Sequence, residues 1–576
     1  MLLAILRKKV DATLPKDSRT LVRTPPRAAG SIYKIGGGDF WYGGLSPVLT
    51  KYFQNIEPRD DPFKLDVSVD GLPLHKGGPT QVWPILVKAV DLPKLPLMLV
   101  AAYSGHTKPA SVEEFLRPLV NDFNIIQRGG LTIGDKTLQF RVRNFIADTP
   151  ARAFILATTN HNGYDSCLKC TCHGEWCEEG KKIIFDSVDA PLRTDEGFRG
   201  RVILNHHQEW RTPLEELDNF DLVDNAPTSE REHLCDEGCT RFMQRGFMFG
   251  KFPRNKKWTP LQMEAASKFL MQTKLPTEIH RSFRLLRYHA FWKATEWRSY
   301  LHYASVVVLK DLVDPIAYGH FLLYFSAVTI FSTKFHQHLW LRARDYLRIF
   351  VKNFGQVYGR KYLTSNIHLL VHIYKDVEKF GALDDFSAYA TENFLQNFPR
   401  WVRAGTKCVE QIANRSSDLM SLDLVATPPA PQYPMLKANG VGLHVTADFV
   451  LLPKFQDQWF LTKDNGIVKF LSAKTSSSHD ITVVGIRFLT MATLYEISAE
   501  GGVIAPMSSA EIHVYQTMEN APAVVVEVPW TAIRCKMVAV KQPTRPLNLP
   551  PIDPSPNSTT PSAIAFFPLL HTFIPD

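Results

Sequence analysis

Asp70 closes the run KLDVSVD and is followed at once by Gly71, while Asp148 closes FRVRNFIAD and is followed by Thr149-Pro150. Each carboxylate therefore falls where a strand pattern gives out. Two such acids, joined by a third on a facing helix, can hold two divalent cations. One ion serves the attacking oxygen and one the leaving oxygen of a phosphodiester, the chemistry of DNA cleavage and strand transfer. Hard Mg²⁺ (or Mn²⁺) takes carboxylate oxygens and keeps part of its water shell. Each acid also has an ordinary structural role to set beside this: Asp before Gly makes a turn, and Asp before Thr-Pro caps a helix. Asp66, Asp165 and Asp195 are further acids in less fitting contexts.

Cysteine and histidine suggest a second metal. Cys167-Leu168-Lys169-Cys170 brings two thiolates to one ion but supplies half a tetrahedron. The other half is either local, from Cys172, His173 and Cys177, or distant. His368 and His372 stand at i and i+4 in SNIHLLVHIYKDVEKF, some 200 residues later. Their imidazoles would share one helix face. Alone, such a pair reads as two core histidines. With the CxxC, a Cys₂His₂ zinc site that closes a very long loop is economical. Past His372 the chain breaks at Gly381 and restarts as SAYATENFLQNFPRWVRAGTK, which carries Glu392 in its first turns. Zinc would fix the approach of that helix, so Glu392 is the expected third acid. Arg400, Arg403 and Lys407 follow at helical spacing, and Arg344, Arg348 and Lys352 form a second basic stripe. Both could track a phosphate backbone, although a solvated face explains either one.

The elements that must position these residues can be read from periodicity. FKLDVSVDGLPL, QVWPILVKAV and LPLMLVAA read as strands, SVEEFLRPLVNDFNII as a helix (apolar at 115, 119, 120 and 123), and TLQFRVRNFIAD as a further strand. That is the opening order of an RNase H-like domain. The expected fold is α/β: an RNase H-like mixed sheet, a large α-helical insertion and a C-terminal β-rich domain. Its parts are a basic N-terminal region (1–62), the first RNase H-like part (63–160), a zinc-associated helical insertion (161–365) and closing helices with HxxxH and Glu392 (366–425). A proline-marked linker and β-rich domain (426–541) follow, then a disordered Pro-rich linker (542–562) and a closing strand (563–576). Asn465-Gly466 between strand-like runs predicts a type I′ hairpin.

The chain has 576 residues and a net charge of +9, so a polyanionic partner is compatible with it. Eight cysteines are too few for a secreted disulfide scaffold, and four of them within eleven residues favour metal. MLLAILRKKV places its basic residues after a short apolar run, the reverse of a signal peptide. The most apolar stretch, FLLYFSAVTIFS, is twelve residues and too short to span a bilayer. A soluble protein is expected.

Several of these motifs together resemble the CACTA (En/Spm-like) transposases, in the animal branch described as transposase domain-containing. The resemblance rests on VDGLPL with WPIL, FIADTPARAFIL, GYDSCLKC, WKATEWRSYL, HLLVHIYKDVEKFG with SAYATENFL, and on WFLTKDNGIVKF and FFPLLHT near the C-terminus. It covers nearly the whole chain. It implies a DDE transposase core with Asp70, Asp148 and Glu392 as metal-binding acids, two Mg²⁺ or Mn²⁺ ions, DNA as partner (transposon ends and target), a nuclear location and a homo-oligomer when active. The CxxC and HxxxH arrangement is similar to that of the V(D)J recombinase core, where it holds zinc. Glu296, in WKATEWR, is the rival third acid. Where relatives read MHLVCLGV this chain has EHLCDEGC, placing Asp236 and Glu237 in a normally apolar segment. No zinc finger or helix-turn-helix precedes the core, so a domesticated or inactive transposase-derived DNA- or protein-binding protein is the alternative expectation. An RNase H-like nuclease on another substrate fits the same residues.

Overall fold

In FKLDVSVD the odd positions are apolar and the even ones polar, so a strand here has one face for a core and one for chemistry. The computed structural model describes residues 2–16, 20, 31–75, 77–229, 231–403, 405–421, 431–437, 441–475, 480–549 and 562–575. It is a mixed α/β protein that divides into two units. The first comprises 1–171, 192–227 and 387–428; the second comprises 172–191, 228–386 and 429–576.

The first unit is built on one mixed sheet. Its strands are β1 (Ile32–Ile35), β2 (Gly38–Tyr42), β3 (Phe63–Val69), β4 (Leu72–Pro73), β5 (Gln81–Ala89) and β6 (Met98–Gly105), and a final strand follows the small β7–β8 hairpin (Leu131–Ile133 and Lys136–Leu138) as β9 (Phe140–Ile146). The order is β1-β2-β6-β5-β3-β9, with β4 paired to β5. All neighbours are antiparallel except β3 and β9, which run parallel. The edge pair β1–β2 lies inside the stretch that the sequence marks only as basic and turn-rich.

Alternation assigns the two faces. Leu65, Val67, Val69, Ile85, Val87 and Val100 pack with α1 (Leu45–Phe53) and α2 (Val112–Gly129) in one core. Ser111 caps α2 by accepting the Glu114 N–H, and α2 presents Phe115, Leu119, Val120 and Phe123 to the sheet. Val82, Leu86, Leu99 and Ala102 point the other way, against Leu395, Phe398, Val409 and Ile412. The sheet is thus covered on both faces, as its doubly buried inner strands require.

The second unit combines helices with a C-terminal β-rich region. Its helix Pro315–Phe331 holds the stretch considered above as a membrane candidate, and it is buried nearly all round. No helix among the described residues is long and apolar enough to cross a membrane. Asp236 is buried beside the equally buried Arg231 at 3.4 Å, and Arg231 also reaches Asp384 at 3.2 Å and the Ser332 hydroxyl at 2.9 Å. This acid is thus accommodated by a buried cation. Among the described residues the β-rich part holds an eight-stranded sheet beside a three-stranded and a two-stranded one. Ala563–Pro568, near the C-terminus, pairs with both Ile533–Lys541 and Tyr515–Met518. Buried Lys536 fastens this sheet to the helical segment by contacting Glu278 at 2.7 Å and Asp457 at 2.9 Å.

Two local expectations are corrected. The Asn465-Gly466 turn is not type I′, which needs a positive φ at both central residues. Only Asn465 is left-handed (φ 63°); its N–H donates to the Thr462 carbonyl, and the Thr462 N–H donates to the Gly466 carbonyl, so the hairpin closes through the three-residue loop Lys463–Asn465. Further upstream, SAYATENFLQNFPRWVRAGTK is not one helix: it forms Tyr389–Leu395 and Phe398–Trp401, then turns extended at Val402. Pro399 has no N–H to continue the first helix, and Gly405 precedes the next helix, Cys408–Ser421. Residues 422–430, where the proline-marked linker begins, and 550–561 of the Pro-rich linker expected at 542–562 lie outside the described residues. The part of that second linker from 542 to 549 is ordered, with Leu547 buried and its N–H donating to Asp311.

Candidate active site and metal centre

The parallel pairing of β3 and β9 sets the two aspartates level. Ser68 pairs with Ile146, so Asp70 and Asp148, each two residues on, leave the carboxyl ends of adjacent strands together. Their sharing of a face depends on a bulge. Phe63 pairs with Phe140 and Leu65 with Val142, but Asp66 pairs with Asn144, so Arg143 is an extra residue. Before the bulge the even positions of β9 (Phe140, Val142) enter the α1/α2 core; after it the odd ones do (Phe145, Ala147). Asp148 is thereby switched onto the face of Asp66, Ser68 and Asp70.

Each aspartate is held locally. Asp70 Oδ1 accepts the Gly71 N–H at 2.7 Å, and Asp148 Oδ1 accepts the Ala151 N–H at 2.7 Å as the N-cap of α3 (Thr149–Ile155). In each carboxylate the backbone bond occupies Oδ1 and leaves Oδ2 outside it. Glu392, on the helix Tyr389–Leu395, shares a hydrogen bond with Asp70. Burial, then the hydrogen bond and charge of Glu392, then the charge of Asp148 push the Asp70 carboxyl up to about 8. The structure thus brings Asp70, Asp148 and Glu392 into one cluster of like charge.

The approach of Glu392 is fixed by a pair of hydroxyls that the sequence reading passed over. Thr391 Oγ1 donates to Ser68 Oγ at 3.0 Å, and both side chains are buried. The available signal was Ser68 itself, a small polar residue sharing the polar face of β3 with Asp70. Asp66 shares that face but is engaged elsewhere: it is buried and bidentate to the bulge residue Arg143, at 2.7 and 2.5 Å. Asp195 pairs with Arg199 at 2.6 Å and accepts the Leu222 N–H, and Asp165 is buried with its carbonyl accepting from His206. Glu296 belongs to the second unit. It is bidentate to Arg284, at 2.6 Å through each oxygen, and accepts the Lys293 N–H at 2.8 Å as part of a capping box.

The cysteine pair lies in the first unit. Cys167 and Cys170 are buried with their Sγ atoms 3.5 Å apart, Arg193 donates to the Cys167 carbonyl, and Cys170 forms a β-bridge with Leu192. The histidine pair lies in the second. Helix Ser365–Leu369 tightens into a 3-10 turn over Leu370–His372, and the two Nε2 atoms are 3.4 Å apart, with both rings buried. The four residues form a Cys₂His₂ set whose donor atoms could hold a metal ion. Cys172, His173 and Cys177 do not enter it.

The basic residues divide. Arg400, Arg403 and Lys407 are exposed, but with the helix broken they do not form a helical stripe, and Lys407 pairs with Glu410 at 3.2 Å. Arg344, Arg348 and Lys352 do share the helix Trp340–Tyr358. There Arg344 pairs with Asp345 at 2.9 Å and Arg348 with Asp189, while Lys352 is exposed. Comparison with known proteins gives no family model and no curated protein that matches this chain.

Proposed function

We propose that the chain is the catalytic core of a DDE-type DNA transposase of the CACTA kind, with an RNase H-like sheet and two catalytic divalent ions. The observation that carries this reading is the meeting of Asp70, Asp148 and Glu392, from three distant parts of the chain, at the carboxyl ends of β3 and β9. The sheet order supports the RNase H-like assignment: β3 lies between antiparallel β5 and parallel β9, with helices on both faces.

The donor set fits a hard cation. It is all carboxylate, and burial together with the crowding of Glu392 and Asp148 raises Asp70 well above the usual range, a cost that a bound dication would offset. Asp70 and Asp148 would hold both ions and Glu392 would complete one of the two sites. Bound there, Mg²⁺ or Mn²⁺ would lower the pKa of the attacking water or 3′-hydroxyl and stabilise the leaving oxygen. The protein's own work is positioning. Gly71 and Ala151 orient the two aspartates through their N–H groups, the Arg143 bulge turns Asp148 to the shared face, and Thr391 sets the helix of Glu392 on β3. The Cys₂His₂ set suits Zn²⁺ in a structural role, because it offers four soft or borderline donors and no open position.

The test is Mg²⁺- or Mn²⁺-dependent nicking and strand transfer on duplexes that carry the ends of the element. Wild type should cut, and D70N, D148N and E392Q should each lose at least a hundredfold while remaining folded. Undiminished cutting by D70N and D148N would overturn the assignment.

A further inference from the structure

In the second unit, a cavity of about 260 Å³ is lined by Arg241, Arg245 and Lys251 together with Glu237, Phe242, Gly238 and Gly246. Three cations face one carboxylate. That carboxylate is only loosely engaged: Glu237 lies 3.8 Å from Arg241, one helical turn away. The side chains of Arg245 and Lys251 have no hydrogen-bond or ion-pair partner among the described residues, and Arg245 Nε is buried without an acceptor. A buried guanidinium N–H without a partner is costly, and like charges gathered without a counter-ion repel. Both costs vanish when an anion enters. His289 reports the same field from the adjacent turn Leu286–Phe291: burial first, and then the charges of Arg245 and Arg241, lower its pKa.

We propose that this cavity is a phosphate-binding site, in which Arg245 and Arg241 take oxyanion oxygens through their guanidinium groups and Lys251 adds a point charge. Arginine's planar donors match phosphate bidentately, and the cavity accommodates one tetrahedral oxyanion with its water. The phosphate can come from a free anion or from a nucleic-acid backbone. The site is separate from the acidic cluster of the first unit and does not depend on the function proposed for it.

The experiment titrates the full chain, at constant ionic strength, with inorganic phosphate by calorimetry and with a labelled random-sequence duplex by fluorescence anisotropy. Wild type is compared with R245Q, K251Q and the control K268Q, an exposed lysine outside the cavity. Stoichiometric phosphate binding weakened at least tenfold by R245Q and K251Q, but not by K268Q, supports the site and identifies a free anion as its ligand. Loss of duplex binding in the same two variants without binding of inorganic phosphate supports it with a phosphodiester ligand. Should R245Q fail to fold, exposed Lys251 carries the test alone. If R245Q and K251Q, or K251Q alone in that case, behave like K268Q in both titrations, the inference is overturned.

Discussion

Metal binding at the acidic cluster should displace a proton, and the structure sets the pH range in which it does so. Asp70 in the metal-free protein titrates at about 8, raised by burial, Glu392 and Asp148 from an ordinary 3.8. Below that value a cation must first expel the proton, so its apparent affinity should rise about tenfold per pH unit and level off above pH 8. At pH 6 the cost is two units, about a hundredfold or ~2.7 kcal/mol. The sign for folding follows from the same shift. The native chain keeps a proton that the unfolded chain has lost between pH 3.8 and about 8, so this carboxyl's contribution to metal-free stability is full below that window and is lost as pH rises through it. Calorimetric Mn²⁺ titrations from pH 6 to 9, in buffers of different ionisation enthalpy, measure both the slope and the protons released. E392Q should flatten the slope, because Asp70 loses a like-charged neighbour, and should weaken binding above pH 8, because an oxygen ligand is gone. A wild-type Mn²⁺ affinity that does not change between pH 6 and 8 would refute the reasoning.

Three further outcomes are expected. T391V leaves the buried Ser68 hydroxyl without its donor, at a cost of about 1–3 kcal/mol; denaturant unfolding should show that loss, with weaker Mn²⁺ binding as Glu392 shifts, and T391S should restore both. E296A removes the partner of a partly exposed Arg284 and a helix cap, so it should lower stability by about 1–2 kcal/mol while leaving Mn²⁺ affinity per folded molecule unchanged. A drop in affinity as large as that of E392Q would make Glu296 the third acid after all. C170S and H368A should each lose one equivalent of zinc per chain by elemental analysis, together with several kcal/mol of stability; full zinc content in both variants would remove the metal centre.

Much of the candidate site was legible because carboxylates at strand ends and paired soft ligands are visible as residue types at fixed spacing. The period-two pattern of FKLDVSVD alone assigns Asp70 to the face opposite Leu65, Val67 and Val69. β9 resists the same argument. Strict alternation from Phe140 would carry Asp148 into the α1/α2 core, and only the extra residue at Arg143 reverses it. A bulge is set by pairing with another strand, here by Asp66 drawing Arg143 to itself, so it is invisible in β9 alone. The basic stripe after Glu392 failed for a different reason. Helical spacing of Arg400, Arg403 and Lys407 was read as one helix, whereas the chain turns extended at Val402 and Lys407 takes a positive φ before the next helix begins, which the periodicity does not register. Ser68 and Thr391 are ordinary small polar residues, and only their contact gives them a role.

The central claim is that three carboxylates hold divalent ions, and anomalous scattering from crystals grown with Mn²⁺ tests it most directly. The account predicts two manganese peaks about 3.5–4 Å apart, both ligated by Asp70 and Asp148 and one also by Glu392. Manganese bound elsewhere in the protein, with the acidic cluster empty at saturating Mn²⁺ and pH 8.5, would contradict it.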